Sequence, residues 1–291
     1  MTVTNLKMAF LDHIDICNRH DLARFRPLEA AGRVIGYVGI ELAGVLAGCG
    51  DVIAEDGAGL GLDDRLDTFE SRSAAVAGLV ADLAAAGQIP KLRGELYPVA
   101  AAFEDTPLFA IDRAAVPPFG IRGQGVHVNG FQRSGGGQIH MWIGRRGANQ
   151  VLCPGMLDNM VAGGLPIGLS PLENVIKECG EEAGIPEDLA KAARAVSEIS
   201  YVMETGGTLR QDRMFCFDLQ LPTDFTPVNQ DGEVAEFYLW PIKTVAEIVR
   251  DTLEFKFNCP LAIIDFLIRH GYIQPGDPDH GALVKGLRQS L

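Results

Sequence analysis

The 291-residue sequence lacks several features that would assign it to a broad class of protein. It has no excess of basic residues: 38 Asp and Glu outnumber 25 Lys and Arg, and the net charge of −13 argues against a nucleic-acid backbone as the main partner. It has no apolar run of membrane-spanning length. Its six cysteines show no Cys-x-x-Cys or paired spacing, which predicts reduced thiols rather than a disulfide framework.

The first ten residues, MTVTNLKMAF, also lack a signal-peptide pattern. Together with the unpaired cysteines, this leads us to expect a cytoplasmic protein without a membrane partner. Hydrophobic residues make up 47% of the chain and charged residues 22%, which is typical of a globular protein, and the length is sufficient for more than one domain. The sequence leaves the oligomeric state open, with a homodimer as one option.

The most informative segment covers residues 163–185 and reads GGLPIGLSPLENVIKECGEEAGI. Ser170 suits an N-cap, Pro171 the first helical position, and Glu173 completes a Ser-x-x-Glu capping box. Gly184 suits a left-handed residue at the C-terminal end. A buried stripe is predicted from the apolar residues at helical spacing, which are Leu172, Val175, Ile176, Cys179 and Ala183. The segment is therefore predicted to form a short, well-capped helix.

Three carboxylates accompany this stripe. Glu178 lies three residues before Glu181 and four before Glu182, so all three are predicted to project from one other face of the helix. Clustered carboxylates repel one another unless a cation lies among them, and hard oxygen ligands suit Mg²⁺, with Mn²⁺ as an alternative. The competing interpretation is a solvated helix face that binds nothing.

The combination of glycines, cap and glutamates resembles the Nudix box. In that motif a glycine, five residues, a glutamate and seven residues precede Arg-Glu-apolar-x-Glu-Glu-x-Gly-apolar. Here the glycine is Gly163, and the final half runs from Lys177 to Ile185. Lys177 replaces the arginine, which removes a bidentate cation, and Leu169 replaces the first glutamate. The resemblance implies a hydrolase whose metal-binding and catalytic residues are Glu178, Glu181 and Glu182.

Segments outside the box are similar to a two-domain subgroup of Nudix proteins related to thiamine pyrophosphokinase. They are GVHVNGF (125–131), MWIGRR (141–146), PGMLDNMVAGG (154–164) and FNCPLAIIDFLIRHGYI (257–273), together with RGELYPVAAAF before them. The resemblance implies a Nudix α/β/α sandwich over residues 116–291, preceded by an α+β domain over residues 1–115. The Pro-Pro and glycine-rich stretch at 113–125 is the predicted linker.

This subgroup removes a phosphate from thiamine diphosphate and from damaged analogues such as oxothiamine and oxythiamine diphosphate. The resemblance therefore implies a Mg²⁺-dependent pyrophosphohydrolase with a small-molecule diphosphate as its partner. Two alternatives stay open: a non-catalytic ligand sensor with a Nudix fold, and a thiamine pyrophosphokinase. Against the kinase, the sequence contains no Gly-x-x-x-x-Gly-Lys-Ser/Thr loop for ATP.

Four further residues are candidates for substrate or catalytic contacts. Arg145 and Arg146 end a predicted strand and could bind phosphate, although adjacent strand residues point in opposite directions, so at most one faces the site. Asp158 either caps a turn or orients a ligand. Glu233 lies in a loop of the region from which Nudix enzymes often supply a metal ligand or general base; the alternative is a solvated loop residue.

His127 and Asn129 share one face of a predicted strand because they are two residues apart. The favoured interpretation is a buried, hydrogen-bonded structural pair, and the alternative is a contact with substrate.

Periodicity and turn signals predict the remaining elements. Helices are expected at 5–25, 72–86 and 260–270, and a strand leading into a helix at 33–46. Strands are expected at 95–101, 107–111, 125–131, 138–143, 159–162, 198–202, 214–219 and 236–240, with a hairpin turn at Ser134-Gly135-Gly136-Gly137.

Overall fold

The computed structural model describes residues 9–56 and 59–291. The first part contains α1 (Phe10–Cys17), β1 (Phe25–Ala30), β2 (Arg33–Gly39), α2 (Ile40–Leu46), β3 (Ile53–Asp56), β4 (Gly59–Leu62), α3 (Phe69–Ala85), β5 (Leu96–Val99) and β6 (Phe109–Asp112). The second part contains β7 (Arg122–Arg133), β8 (Ile139–Arg146), β9 (Leu157–Asn159), β10 (Val161–Gly164), α4 (Pro171–Ala183), α5 (Glu187–Ala190), β11 (Arg194–Thr205), β12 (Thr208–Gln220), β13 (Val234–Pro241), α6 (Ile242–Asp251), α7 (Cys259–Arg269) and α8 (His280–Gly286).

The N-terminal unit is built on two small sheets. One has the strand order β2-β1-β4-β3, in which β1 and β4 are parallel, and the other is the antiparallel pair β5-β6. Strands and helices of this unit share one apolar core, which extends along the chain from Leu28 to Ile121. The α+β character expected for the first part is therefore present.

The second part is organised around a seven-stranded mixed sheet in the order β11-β12-β7-β8-β13, with β10 paired to β7 and β9 to β8. The side chains of β12 alternate between two cores: Met214 and Cys216 pack against α6 and α7, whereas Phe217 and Leu219 pack against α4. Helices therefore cover both faces of the sheet, and the expected α/β/α sandwich is confirmed.

Two segments cross the expected division of the chain. Helix α1 packs in the core of the second unit, where Ile14 and Cys17 are buried with α6, α7 and α8. The stretch predicted as a linker is ordered and packed, since Phe119 and Ile121 are buried in the N-terminal core. Burial of these apolar side chains outweighs the tendency of the neighbouring Pro and Gly residues to form a flexible linker. The boundary between residues 115 and 116 stays a prediction.

Most predicted elements are present, and the hairpin of β7 and β8 forms across residues 134–137. The helix expected at 5–25 is shorter: it ends at Cys17 and a strand follows, while residues 5–8 lie outside the described residues. Strands β1, β3 and β4 and helices α5, α6 and α8 were not predicted. In the described ranges, no helix combines the length and apolar character needed to span a bilayer.

Candidate active site

Helix α4 has the predicted caps. The Ser170 backbone N–H and hydroxyl donate to Glu173 Oε2 at 2.8 and 2.6 Å, and the Ser170 hydroxyl accepts from the Glu173 backbone N–H at 3.3 Å. At the other end Gly184 has a φ of 61°, which favours glycine, and the backbone N–H of Ile185 donates to the Cys179 carbonyl at 3.0 Å. These caps fix the helix ends independently of any ligand.

The buried stripe of α4 begins one turn later than predicted. Val175, Cys179 and Ala183 are fully buried, whereas Leu172 in the first turn is 40% exposed. Helix α4 packs on β10 and β7 through this stripe. The helix is therefore held against the sheet at the strand that carries the glycines of the box.

The three glutamates are not equivalent, contrary to the expectation of one shared face. Glu178 and Glu182 are buried, whereas the Glu181 side chain is about half exposed. Lys177 lies between the two environments: its ammonium group is 3.2 Å from Glu178 Oε1 and 2.8 Å from Glu181 Oε2. Glu178 and Glu182 are four residues apart, just over one full turn, so they share the side of the helix that packs on the sheet, whereas Glu181 points away from it.

Strand β10 holds both buried carboxylates. The backbone N–H of Ala162 donates to Glu182 Oε2 at 3.0 Å. The next residue, Gly163, lies so close to Glu178 that a Cβ added there would be 2.5 Å from Oε1 and 2.3 Å from Cδ. Glycine is therefore required at residue 163 for steric reasons, because any side chain would displace the Glu178 carboxylate.

Burial raises the pKa of the Glu182 carboxyl group well above its usual value, and the charges of Glu178, Asp158 and Glu233 raise this pKa further. Burial also raises the pKa of Glu178, although Lys177 opposes that shift. Carboxylates that are costly to ionise because of burial and mutual repulsion are the groups that a divalent cation stabilises. This donor set of hard oxygens fits Mg²⁺.

Asp158 forms the centre of a second charged cluster. Its Oδ2 is 2.7 Å from Arg146 Nη1 and 3.6 Å from Lys256 Nζ, while its Oδ1 accepts from Cys259 Sγ at 2.6 Å and the Asn159 backbone N–H at 2.9 Å. Burial by itself raises the pKa of Asp158, but Lys256 and Arg146 outweigh it and hold the pKa below its usual value. Asp158 is therefore a buried carboxylate whose charge is already balanced by two cations.

His127 and Asn129 belong to a buried hydrogen-bonded chain. His127 Nδ1 is 2.9 Å from Asn159 Oδ1, and Asn159 Nδ2 donates to Asn129 Oδ1 at 3.0 Å. Burial, with the charge of Lys256, lowers the pKa of His127 to about 4, so its imidazole is neutral at pH 7. Because Asn159 Oδ1 can only accept a hydrogen bond, the proton of the neutral imidazole is on Nδ1. Nε2 is then an acceptor that faces the Asn258 side-chain amide.

Among the described residues, one group of three possible metal ligands has its ligand atoms within 4.8 Å of one another: His127, Asp158 and Cys259. Within this group the Cys259 thiol already donates to Asp158. Asp158 is also paired with Lys256, whose positive charge disfavours a further cation. The geometry therefore gives it a structural role, and the glutamates of α4 are better suited to a metal.

The two predicted arginines differ in direction, as adjacent strand residues must. Arg146 lines the cavity described below, where it also donates to the Leu152 carbonyl and to Gln150 Oε1. Arg145 is outside that lining and bonds the Tyr238 hydroxyl at 3.0 Å and the Gly155 carbonyl at 2.9 Å. Of the two arginines, only Arg146 lines the cavity.

A cavity of about 1150 Å³ lies between the N-terminal unit and the sandwich. Its wall includes Ala162, Gly163 and Gly164 of β10, against which the buried glutamates lie, and Glu233, which is exposed in the loop before β13. Seven cationic side chains line the cavity against four acidic ones: Arg24, Arg93, Arg113, Arg146, Arg210, Arg213 and Lys256 against Glu41, Glu204, Asp212 and Glu233. The cavity thus carries a positive lining in an acidic protein.

Several lining residues were not among the sequence-based candidates. Lys256 precedes the conspicuous FNCPLAIIDF segment, and Tyr97 and Arg113 come from the N-terminal unit. None belongs to the box, and only the tertiary fold brings them to one cavity. The FNCPLAIIDF and RGELYPV segments are marks of resemblance that overlap the predicted helix at 260–270 and the predicted strand at 95–101, but no site residue was expected in them.

Comparison with known proteins identifies the family. The chain is 44% identical over 283 residues to Nudix hydrolase 24, chloroplastic, of Arabidopsis thaliana, covering 96% of this chain and 77% of that protein. Nudix hydrolase 20, chloroplastic, of the same plant is 41% identical over 291 residues, with the same coverage. The chain belongs to the Nudix hydrolase family. It is therefore a hydrolase acting on diphosphate bonds, which favours an enzyme over a non-catalytic sensor.

Residues 9–123 of this Nudix hydrolase also match the model of a domain of unknown function (DUF4743). Among solved structures, the Nudix domain of Shewanella oneidensis NrtR, complexed with ADP ribose, aligns with a TM-score of 0.41 and 13% identity, covering 53% of this chain and 91% of that one.

The expectation of a cytoplasmic location is wrong by these comparisons, since both plant relatives are named chloroplastic. Unpaired cysteines suit any reducing compartment, so they did not discriminate.

Proposed function

We propose that this Nudix hydrolase is a Mg²⁺-dependent pyrophosphohydrolase that converts thiamine diphosphate, or an oxidised or damaged analogue, to the monophosphate. The observation that carries the proposal is the placement of two buried carboxylates, Glu178 and Glu182, against Gly163 and Ala162 of β10. These two β10 residues, rather than the glutamates, belong to the lining of the cavity, which is rich in cations. Such a lining attracts a phosphorylated ligand locally even though the whole chain repels anions.

In this proposal Glu178 and Glu182, with Glu181 at the exposed edge, would hold the cation. When bound, Mg²⁺ would neutralise charge on the diphosphate and lower the pKa of an attacking water. Glu233, or one of the box glutamates, would accept the proton from that water. Arg146 and Lys256, held in position by Asp158, supply positive charge for the phosphoryl oxygens.

The organic part of the substrate requires a different surface. One side of the cavity carries Phe257, with Arg210 positioned 5.7 Å above its ring, and the carboxylate of Asp212, which accepts from the Tyr201 hydroxyl at 2.6 Å. The Arg210 guanidinium is also paired with Asp212 at 3.3 Å, so the cation over the ring and the carboxylate beside it already balance each other. The aromatic edge can pack against a planar ring of a ligand, and the thiamine assignment itself rests on the resemblance of the sequence.

The direct test is a phosphate-release screen with and without Mg²⁺, over thiamine diphosphate and its oxo and oxy analogues, nucleoside diphosphate sugars and dinucleoside polyphosphates. We expect the thiamine diphosphates to be the best substrates and the activity to need Mg²⁺. Glu181→Gln and Glu182→Gln should each lower turnover strongly and leave the fold intact, because they remove charge but keep shape.

The matched control is Glu187→Gln, which changes an exposed glutamate paired with Lys191 outside the cavity lining. Full activity of Glu182→Gln at limiting Mg²⁺ would show that the metal is not held here. Preference for another substrate class would reject the thiamine assignment and leave the hydrolase assignment unchanged.

A further inference from the structure

The N-terminal unit places one polar atom in an unusual position. Tyr97 of β5 is 5% exposed, lines the cavity, and its hydroxyl has no hydrogen-bond partner among the described residues. A buried hydroxyl without a partner costs stability, so it indicates a group whose partner is supplied on binding.

The position of this hydroxyl relative to the box is fixed by close packing. A Cβ added to Gly164 would lie only 1.5 Å from Tyr97 Oη, so the phenol occupies the space above that glycine. The preceding residue, Gly163, is the one that contacts the Glu178 carboxylate. The Tyr97 hydroxyl and the Glu178 carboxylate therefore contact consecutive residues of β10, on opposite faces of the strand.

Hydrogen bonds to backbone carbonyls hold the two units in this arrangement. The backbone N–H of Ile167, in the glycine-rich loop, donates to the Leu96 carbonyl at 2.8 Å, directly beside Tyr97. Farther along the interface, Gln211 Nε2 donates to the Gly120 carbonyl at 2.7 Å. The loop that leads into α4 is thus bonded to the strand that carries Tyr97.

A positively charged side chain, Arg113, lies beside the Tyr97 ring. The Arg113 guanidinium lies 5.9 Å from the centre of the Tyr97 ring, donates to Glu95 Oε2 at 2.9 Å, and also lines the cavity. Burial raises the pKa of the Tyr97 hydroxyl, so it remains protonated at neutral pH and can donate a hydrogen bond.

We infer that the N-terminal unit completes the diphosphate-binding site: the Tyr97 hydroxyl donates a hydrogen bond to a phosphoryl oxygen of the ligand, and Arg113 balances its charge. This inference rests on the proposed function of the same cavity. It gives the domain of unknown function a role in binding, and it makes Tyr97 a specificity-determining residue for ligands that place a diphosphate against β10.

The test measures binding as well as activity, with the full chain. Methylenediphosphonate, a diphosphate mimic that is not hydrolysed, is titrated calorimetrically in the presence of Mg²⁺ into the wild type, Tyr97→Phe and Tyr37→Phe. Tyr37 is in the same unit but outside the cavity lining, so it is the matched control. We expect Tyr97→Phe to weaken binding by about tenfold or more, because a hydrogen bond to a charged group is lost, with no loss of thermal stability. Tyr37→Phe should bind like the wild type.

Equal affinity of Tyr97→Phe and wild type would overturn the inference, and so would a wild type that does not bind the mimic. Steady-state kinetics distinguish a failure of this inference from a failure of the proposed function. If the wild type hydrolyses thiamine diphosphate and Tyr97→Phe does so with an unchanged KM, the function holds and the inference fails. If the wild type binds the mimic through Tyr97 but releases no phosphate from any substrate, the inference holds and the function fails.

Discussion

Replacing Asp158 by Asn should be among the most destabilising single changes in this protein. The side chains of Asp158, Arg146 and Lys256 are 8%, 13% and 12% exposed, so the substitution leaves two cations largely buried without their anion. Removing one partner of a buried ion pair costs about 3–5 kcal/mol. At roughly 2–4 °C per kcal/mol for a chain of this size, the melting temperature should fall by roughly 6–20 °C.

Asparagine keeps the shape of the side chain and an oxygen for the bonds from Cys259 and Asn159, so the loss reports mainly on charge. The assay is urea denaturation at pH 7, where Asp158 is ionised because its pKa is lowered. Asp63→Asn is the control: it breaks an ion pair with Arg65 that is exposed, and solvent screening makes such pairs contribute little.

A second substitution tests the cause. If unpaired charge dominates the loss, Lys256→Met should be less harmful in the Asp158→Asn background than in the wild type, and part of the lost stability should return. Measuring the wild type, both single variants and the double variant gives the coupling energy between the two residues. A loss for Asp158→Asn no larger than that of the Asp63 control, or strictly additive effects with Lys256→Met, would refute the reasoning.

Two further predictions follow from the site. The pKa of His127 falls from 6.5 in the unfolded chain to about 4 in the fold, so between these pH values the unfolded state binds a proton that the folded state does not. This contribution to the free energy of unfolding is therefore fully present above pH 6.5, and about 3 kcal/mol of it should be lost as the pH falls to 4. Urea denaturation at pH 7 and pH 4.5 should show this, and a His127→Gln variant with the same pH slope as wild type would contradict it. Gly163→Ala should displace the Glu178 carboxylate and reduce kcat by about a hundredfold, since small misplacements at a reacting centre are costly. Its control is Gly180→Ala on α4, the helix that carries Glu178, where an added Cβ meets nothing within 4 Å; equal activities of the two variants would show that the contact at Gly163 is unimportant.

The parts of the site that the sequence predicted are local ones. Helix α4 is specified by its own residues, because Ser170, Glu173 and Gly184 cap it with neighbours within six positions along the chain. The hairpin of β7 and β8 is likewise set by the glycines between its strands. Such features follow from short-range chemistry and need no knowledge of the tertiary fold.

Burial and long-range contacts could not be obtained in this way. The sequence treats Glu178, Glu181 and Glu182 alike, and only the packing of α4 on β10 separates the two buried carboxylates from the exposed one. Lys256 and Tyr97 are distant from the box along the chain, so no spacing rule connects them with it. The short strands β3 and β4 offer only a few residues each, too few for a period to be recognised.

Helix α1 has a consequence for the order in which the chain folds. Besides its contacts with β11, three hydrogen bonds from α1 and its C-cap residue Asn18 reach residues more than 230 positions later. His13 Nε2 bonds the Val249 carbonyl, Cys17 the Phe257 carbonyl, and Asn18 the Gly286 carbonyl. At a ribosomal rate of about 5–20 residues per second, α1 waits roughly 12–50 s for these partners to be synthesised. During that interval the N-terminal unit can form its own core while the apolar face of α1 is still unprotected. Nascent chains of this enzyme should therefore bind chaperones through α1 until the last helices have left the ribosome.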